Sequence, residues 1–213
     1  MNTTILITAG ATREEIDPVR FLGNRSSGLL GCQLALAGAI ARYEVTLLLG
    51  DGAIEPTSHP RLRTARFSST RDLESLMHQH WQSHTYLIMA AAVADFTPKG
   101  GRNNTKLRRS TTMSLNLVPT NDLVARAAES AREDQRILAF ALGEPADLET
   151  SAQEKLLRKQ VDAIVANPVQ TMHADDISAS VYCRDGRTFS LNKSVPKSEF
   201  AMWLIKNLKD ICQ

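Results

Sequence analysis

Asn24-Arg25-Ser26-Ser27-Gly28-Leu29-Leu30-Gly31 is the stretch on which the fold turns. It follows an apolar strand pattern, Ile5-Leu6-Ile7-Thr8-Ala9-Gly10, across a loop carrying Asp17-Pro18-Val19-Arg20-Phe21, and opens a run of small and apolar residues from Leu29 to Ala41. Glycine at 28 and 31 lets backbone come close to a ligand. Ser26 and Ser27 offer hydroxyls and N-caps, and the first helical turn presents unpaired N–H groups at the positive end of the helix dipole. Such a turn favours a phosphate. Gly-x-x-Gly also serves ordinary capping and packing, so the surrounding sequence must decide between the two uses.

Working outward, Glu44–Gly50 reads as a second strand, which completes a βαβ opening. Arg63–Phe67 alternates as a short strand, and Ser69 or Thr70 is placed to cap a helix from Asp72 to Gln82. Tyr86-Leu87-Ile88-Met89-Ala90-Ala91-Ala92 is continuously apolar, as a strand buried on both faces would be. A helix over Asp122–Arg132, a strand over Ile137–Ala141, a helix over Leu148–Gln160 and a strand over Asp162–Ala166 continue the alternation. Ser178–Cys183 and Thr188–Leu191 bracket Asp185-Gly186 as a hairpin. Phe200, Leu204, Leu208 and Ile211 form the buried stripe of a closing helix from Ser198. The expected fold is α/β: a Rossmann-like, doubly wound, mostly parallel sheet with a C-terminal hairpin and helix.

At 213 residues and 43% hydrophobic content, the chain suits a single domain over 1–213. A net charge of +2 gives no global argument for nucleic acid or an anionic membrane, and no apolar run approaches the roughly 20 residues of a membrane span. Cys32, Cys183 and Cys212 are odd in number and lack CxxC spacing, which suits a reduced, cytoplasmic protein. His78, His80 and His84 suggest a metal cluster, but 78 and 80 fall on different helical faces, so a polar surface helix is the better reading. Residues 99–109 differ from their surroundings. They carry Lys99, Arg102, Lys106, Arg108 and Arg109 with no acidic residue and several Gly and Asn, the composition of a flap that is mobile without ligand.

The long element from Thr8-Ala9-Gly10-Ala11-Thr12-Arg13-Glu14 through Ile16-Asp17-Pro18-Val19-Arg20-Phe21 to Asn24 and Ser26-Ser27-Gly28 closely resembles the opening of phosphopantothenoylcysteine synthetases, the ligases of coenzyme A biosynthesis. The resemblance continues in order at Ala91-Ala92-Val93-Ala94-Asp95-Phe96, Lys106-Leu107-Arg108-Arg109 and Asp162-Ala163-Ile164-Val165-Ala166-Asn167. It implies that a nucleoside triphosphate activates the carboxylate of 4'-phosphopantothenate as an acyl-nucleotide, which the amine of cysteine then attacks. The resemblance gives Asn24 the acyl-nucleotide, with Ala91 and Ala92 beside the substrate, and gives Lys106 the phosphates. It assigns Gly10, Ser26, Ser27, Gly28, Asp95, Thr120, Asn121, Asp122, Leu123, Phe140, Lys155 and Lys159 to the nucleotide. Lys155 and Lys159 stand i,i+4 and can share a helix face.

The Asp95 and Phe140 segments look like those of bacterial relatives, which implies CTP, with Mg2+ travelling on the triphosphate. The chain departs from the family at Thr120-Asn121-Asp122-Leu123, where Asn-Pro-Asp-Ile is common, and at Phe140-Ala141-Leu142-Gly143-Glu144, where Phe-Ala-Ala-Glu-Thr is common. Arg108 and Arg109 replace two lysines of the family's Lys-x-Lys-Lys motif, keeping charge but changing donor geometry. A homodimer is implied, as is a separate phosphopantothenoylcysteine decarboxylase as functional partner. No flavin is expected, because the chain starts almost directly at the synthetase strand. Two other functions are open: a nicotinamide- or flavin-dependent oxidoreductase, with Asp51 after the second strand to hold a ribose, and a catalytically silent nucleotide-binding module using only the basic segment.

Overall fold

The structure is a computed structural model that describes residues 3–109, 112–172, 174–191 and 193–213. In chain order its elements are β1 Thr4–Ala9, β2 Arg13–Glu15, β3 Phe21–Gly23, α1 Leu29–Ile40, β4 Glu44–Gly50, β5 Leu62–Phe67, α2 Thr70–His80, β6 Tyr86–Met89, β7 Phe96–Pro98 and β8 Leu117–Pro119. There follow α3 Leu123–Glu129, β9 Arg136–Gly143, α4 Leu148–Lys159, β10 Ala163–Pro168, β11 Asp176–Ile177, β12 Ser180–Cys183, β13 Thr188–Ser190, β14 Val195–Pro196 and α5 Lys197–Ile211.

Eight strands form one sheet in the order β13-β12-β10-β9-β6-β1-β4-β5. The six strands from β10 to β5 are parallel, and the β12–β13 hairpin closes one edge antiparallel, turning at Gly186 with φ 88°. From β1 the chain winds outward to β4 and β5, then returns to β1's other side to lay down β6, β9 and β10. The direction therefore reverses between β1 and β6, and in such sheets the crevice beyond the carboxyl ends at that point is where ligands bind.

One face of the sheet is covered by α1 and α5, the other by α2, α3 and α4. Ile5, Ile7 and Ala9 of β1 face the first layer with Leu34, Ala35, Phe200 and Leu204, whereas Leu6 faces Leu73, Met77 and Trp81 in the second. This alternation explains why β1 and β4 read as continuous apolar runs, since both faces are buried. The stripe expected on the closing helix is buried: Phe200, Leu204, Leu208 and Ile211 are each at most 1% exposed. At the start of α2, Ser69 is the N-cap of a reciprocal capping box with Asp72, the Asp72 amide donating to Ser69 Oγ at 3.2 Å and the Ser69 amide to Asp72 Oδ2 at 2.8 Å.

Three local expectations are corrected. The regular strand expected over Tyr86–Ala92 ends at Met89: Thr8 Oγ1 takes the Ala91 amide at 3.1 Å and interrupts the ladder, which resumes in the same register as an isolated parallel bridge between Ala11 and Ala92, with the Ala92 amide on the Gly10 carbonyl at 2.8 Å. The helix expected over Asp122–Arg132 spans only Leu123–Glu129, with Asp122 as its cap. At α1 the N-cap is Gly28 in the left-handed region, φ 77°, rather than either serine. Among the described residues no helix is long and apolar enough to cross a membrane.

Candidate active site

At the carboxyl ends of β1, β6, β9 and β10 lies a cleft of about 650 Å³. Its floor on one side is the turn into α1. Gly28 is required there twice over: its φ is positive, and an added Cβ would lie 2.8 Å from Ala53 Cβ and 3.1 Å from the Gly10 amide nitrogen. Gly31 brings α1 down onto β1, where a Cβ would stand 2.4 Å from that of Ala9. Ser26 Oγ accepts the Gly28 amide at 3.3 Å and Ser27 Oγ that of Leu29 at 3.4 Å, which leaves each hydroxyl proton free to donate outward. The first amides of α1 open at the same end.

Opposite stands the segment from Ala90 to Asp95, fixed by long-range bonds. The Thr12 amide donates to the Ala92 carbonyl, the Ala94 amide to Thr12 Oγ1 at 2.8 Å, and the Thr120 amide to the Asp95 carbonyl at 3.0 Å. Thr120 Oγ1 adds a bond to the Ala94 carbonyl at 2.5 Å. Asn24 bridges the two walls, its Nδ2 donating to the Val93 carbonyl at 3.0 Å. That bond orients the amide so that Oδ1 and the second N–H can face a ligand.

The third wall is α4. Lys155 and Lys159, one turn apart, both line the cleft with Phe140 of β9. Lys159 Nζ donates to Asp122 Oδ1 at 3.0 Å. Lys155 titrates below the ordinary lysine value, first because it is desolvated and then because Lys159 and Arg158 repel its charge, while Asp95 pulls the other way. Burial alone would raise the Asp122 carboxyl, but the Ala125 amide and Lys159 outweigh it and hold the group below the usual range. The arrangement concentrates positive charge next to a helix N-terminus, which is what a polyphosphate requires.

Of the residues expected in the site, the structure gathers Asn24, Ser26, Ser27, Gly28, Ala91, Ala92, Asp95, Phe140, Lys155 and Lys159 around this cleft. Gly10 lies directly beneath Gly28, in its second layer. Thr120 and Asp122 reach the site through the carbonyl of Ala94 and through Lys159, without lining it. Asn121 turns away to the Glu74 carboxylate at 3.0 Å, and Leu123 is buried against α2, leaving Val124 to face the cleft. Lys106 is apart as well: with Arg20, Arg108 and Arg109 it borders a separate basic hollow of about 750 Å³. Lys197 is a cleft residue that the sequence reading missed. Only 6% exposed, it donates from Nζ to the Ala174 carbonyl at 2.5 Å, and burial lowers its pKa while Asp175 opposes the shift.

The three cysteines are buried and free. Burial pushes the Cys32 and Cys183 thiols up to about 11 and that of Cys212 higher still, so none is a ready thiolate. His84 is buried, its Nε2 paired with Thr46 Oγ1 at 2.9 Å and its Nδ1 with the His80 carbonyl at 2.7 Å. Among the described residues no group of three or more His, Cys, Asp or Glu could hold a metal.

A family model described as DNA/pantothenate metabolism flavoprotein C-terminal domain matches residues 1–211. The chain belongs to this family. It is 39% identical over 166 residues, 78% of this chain and 46% of the relative, to a protein named cysteine/cysteine sulfinic acid decarboxylase from an unknown prokaryotic organism. It is 33% identical over 189 residues to the coenzyme A biosynthesis bifunctional protein CoaBC of Vibrio cholerae, covering 86% of this chain and 47% of that one. The chain thus spans about half the length of the curated relatives it matches. Among solved structures, the C-terminal domain of a CoaBC is 32% identical with a TM-score of 0.82, covering 98% of this chain and 95% of that one. A Cab2 mutant in complex with phosphopantothenate-cysteine shares the fold at TM-score 0.82 and 19% identity, with 98% and 87% covered.

Proposed function

We propose that this chain joins the carboxylate of 4'-phosphopantothenate to the amine of cysteine in coenzyme A biosynthesis, using a nucleoside triphosphate, CTP in preference to ATP. The observation that carries this reading is Asn24, a neutral amide held between an anion-binding helix start and the Asp95–Lys155 wall, in a chain whose whole length matches a CoaBC C-terminal domain. It is supported too by what is bound in the Cab2 structure, a phosphopantothenate–cysteine conjugate.

In the first step an oxygen of the carboxylate attacks the α-phosphorus and the bond to the β-phosphate oxygen breaks, so that pyrophosphate leaves and an acyl-cytidylate forms. In the second, the neutral amine of cysteine attacks the acyl carbon, the acyl–oxygen bond breaks, CMP departs and the nitrogen loses a proton. The residues needed are charge partners and a clamp, with no covalent intermediate on the protein. Lys155 and Lys159 hold the phosphates from α4, the Ser26–Gly28 turn holds them from α1, and Asn24 donates to the acyl-phosphate oxygens. Mg2+ bound to the triphosphate would offset part of its charge. Lys106 reaches the phosphates from the basic segment 99–109.

The working form is a homodimer. Val19, Phe21, Phe96 and Leu117 are 43–61% exposed on the β2–β3 and β7–β8 ribbons, an apolar surface suited to a second copy. The product is the substrate of a phosphopantothenoylcysteine decarboxylase. Incubating the protein with phosphopantothenate, cysteine, Mg2+ and either CTP or ATP tests the reaction by mass spectrometry: the amide and one pyrophosphate per amide are expected, fastest with CTP. Nucleotide binding without pyrophosphate release would reduce the chain to a binding module.

A further inference from the structure

Asp17 is a carboxylate only 1% exposed, and its two oxygens do different things. Oδ1 accepts the amides of Val19 at 2.8 Å and Arg20 at 2.9 Å, closing a local turn after Ile16. Oδ2 accepts the amide of Leu107, ninety residues away in the chain, at 3.1 Å. Arg20 completes the contact, its Nη2 donating to the Leu107 carbonyl at 2.8 Å while Nη1 lies 3.6 Å from Asp17 Oδ2. The peptide units on both sides of Leu107 are therefore gripped, and the first of them is the one joined to Lys106.

The rest of the basic segment follows the same line. The backbone amide and Nδ2 of Asn103 both reach the Ile16 carbonyl, at 2.9 and 3.3 Å, and Arg102 pairs with Glu15 at 2.7 Å. Buried, Asp17 would titrate high, but the amides of Val19, Leu107 and Arg20 outweigh desolvation and hold it below the usual carboxylate range, so the latch is charged at neutral pH.

We infer that Asp17 is a positioning residue: it latches residues 102–107 to the turn after β2 and thereby sets where Lys106 stands. This rests on the ligase reading, in which Lys106 serves the phosphates. A turn-building role alone would need only Oδ1.

Asp17→Asn separates the two roles. It keeps Oδ1 for Val19 and Arg20 but sets an N–H2 group against the Leu107 amide, and flipping the amide would set that group against two amides instead. Leu107→Pro is the second variant, removing the donated N–H and leaving Asp17 untouched. Residues 99–109 contain five tryptic sites, so limited trypsin digestion reads the latch directly. Read at the sites after Lys99, Arg102, Arg108 and Arg109, since proline at 107 blocks cleavage after Lys106, both variants are expected to be cut about tenfold faster than the parent chain, the loss of one charge-assisted bond, while the rest of the fold resists. Amide formation by Asp17→Asn should fall, and adding Lys106→Gln should cost less in that background than in the parent. Equal cleavage rates in all three proteins would overturn the latch. Faster cleavage with an undiminished cost of Lys106→Gln would overturn the positioning role. A parent chain that makes no amide would sink the ligase reading and the positioning role together, with the digestion still deciding the latch.

Discussion

Replacing Gly31 with alanine probes how the phosphate-binding turn is held. The added methyl would sit 2.4 Å from Ala9 Cβ, where ordinary contact begins near 3.4 Å, so α1 must retreat from β1 by about 1 Å at its first turn. Ala9 is fully buried in the centre of the sheet and cannot give way. Overpacking of this kind costs about 1–3 kcal/mol, and the better helix propensity of alanine returns about 0.8–1 kcal/mol. The net loss is up to about 2 kcal/mol, a fall of up to about 4–8 °C in Tm for a chain of this size. Because Gly28 and the serines ride on the same turn, nucleotide affinity should weaken with it. Thermal and urea unfolding of Gly31→Ala, Ala9→Gly and the double variant measure the effect, and CTP titration reads the site. In the Ala9→Gly background the Gly31→Ala change should be neutral to stabilising by up to about 1 kcal/mol, giving a coupling of about 1–3 kcal/mol. Additivity in the double variant would refute the close approach as the device that sets the turn.

Asn24→Asp should fold normally but lose about 100-fold or more in the rate of amide formation, because a carboxylate cannot donate to Val93 and repels the triphosphate; near-normal turnover by a variant with native circular dichroism removes Asn24 from the chemistry. Lys106→Gln should change stability by less than about 0.5 kcal/mol yet strongly slow pyrophosphate release in a single turnover; an unchanged rate makes residues 99–109 a solvated basic loop. Lys155 has a folded pKa below its unfolded value, so the unfolded chain binds more protons between the two, and stability rises with pH through that window up to about 10.5. Lys155→Gln should therefore raise Tm at neutral pH, flatten that rise and increase the KM for CTP several-fold; an unchanged pH profile contradicts the assignment of burial as the cause.

The layout of the sheet was legible because its strands announce themselves. β1, β4, β9 and β10 are apolar runs buried on both faces, and the stripe of α5 repeats at helical spacing. The family resemblance brought Lys155 and Lys159 into view, and their i,i+4 spacing allowed both to stand on one helix face. What was not legible depends on partners distant in the chain. Ala90–Ala92 are as apolar as the strand before them, and it is the hydroxyl of Thr8, taking the Ala91 amide, that interrupts the regular ladder before it resumes at the Ala11–Ala92 bridge. The ribbons β2–β3, β7–β8 and β11–β14 are two or three residues per strand, too short for any period to show. Lys197 reads as an ordinary exposed residue at the start of α5, and its burial arises from the Ala174 carbonyl and the cleft wall packed over it. Lys106 resembles a phosphate ligand in sequence but stands beside Leu107 on a segment tied to Asp17, an arrangement set by a contact across ninety residues.

The central claim is that the carboxylate is activated on the α-phosphorus within the Asn24 cleft. Phosphopantothenate labelled with 18O in both carboxylate oxygens, turned over with cysteine and CTP, tests it most directly. One label should appear in the phosphate of each CMP, with the other kept in the amide carbonyl and none in pyrophosphate. CMP without label, or label in inorganic phosphate, would contradict the acyl-cytidylate route.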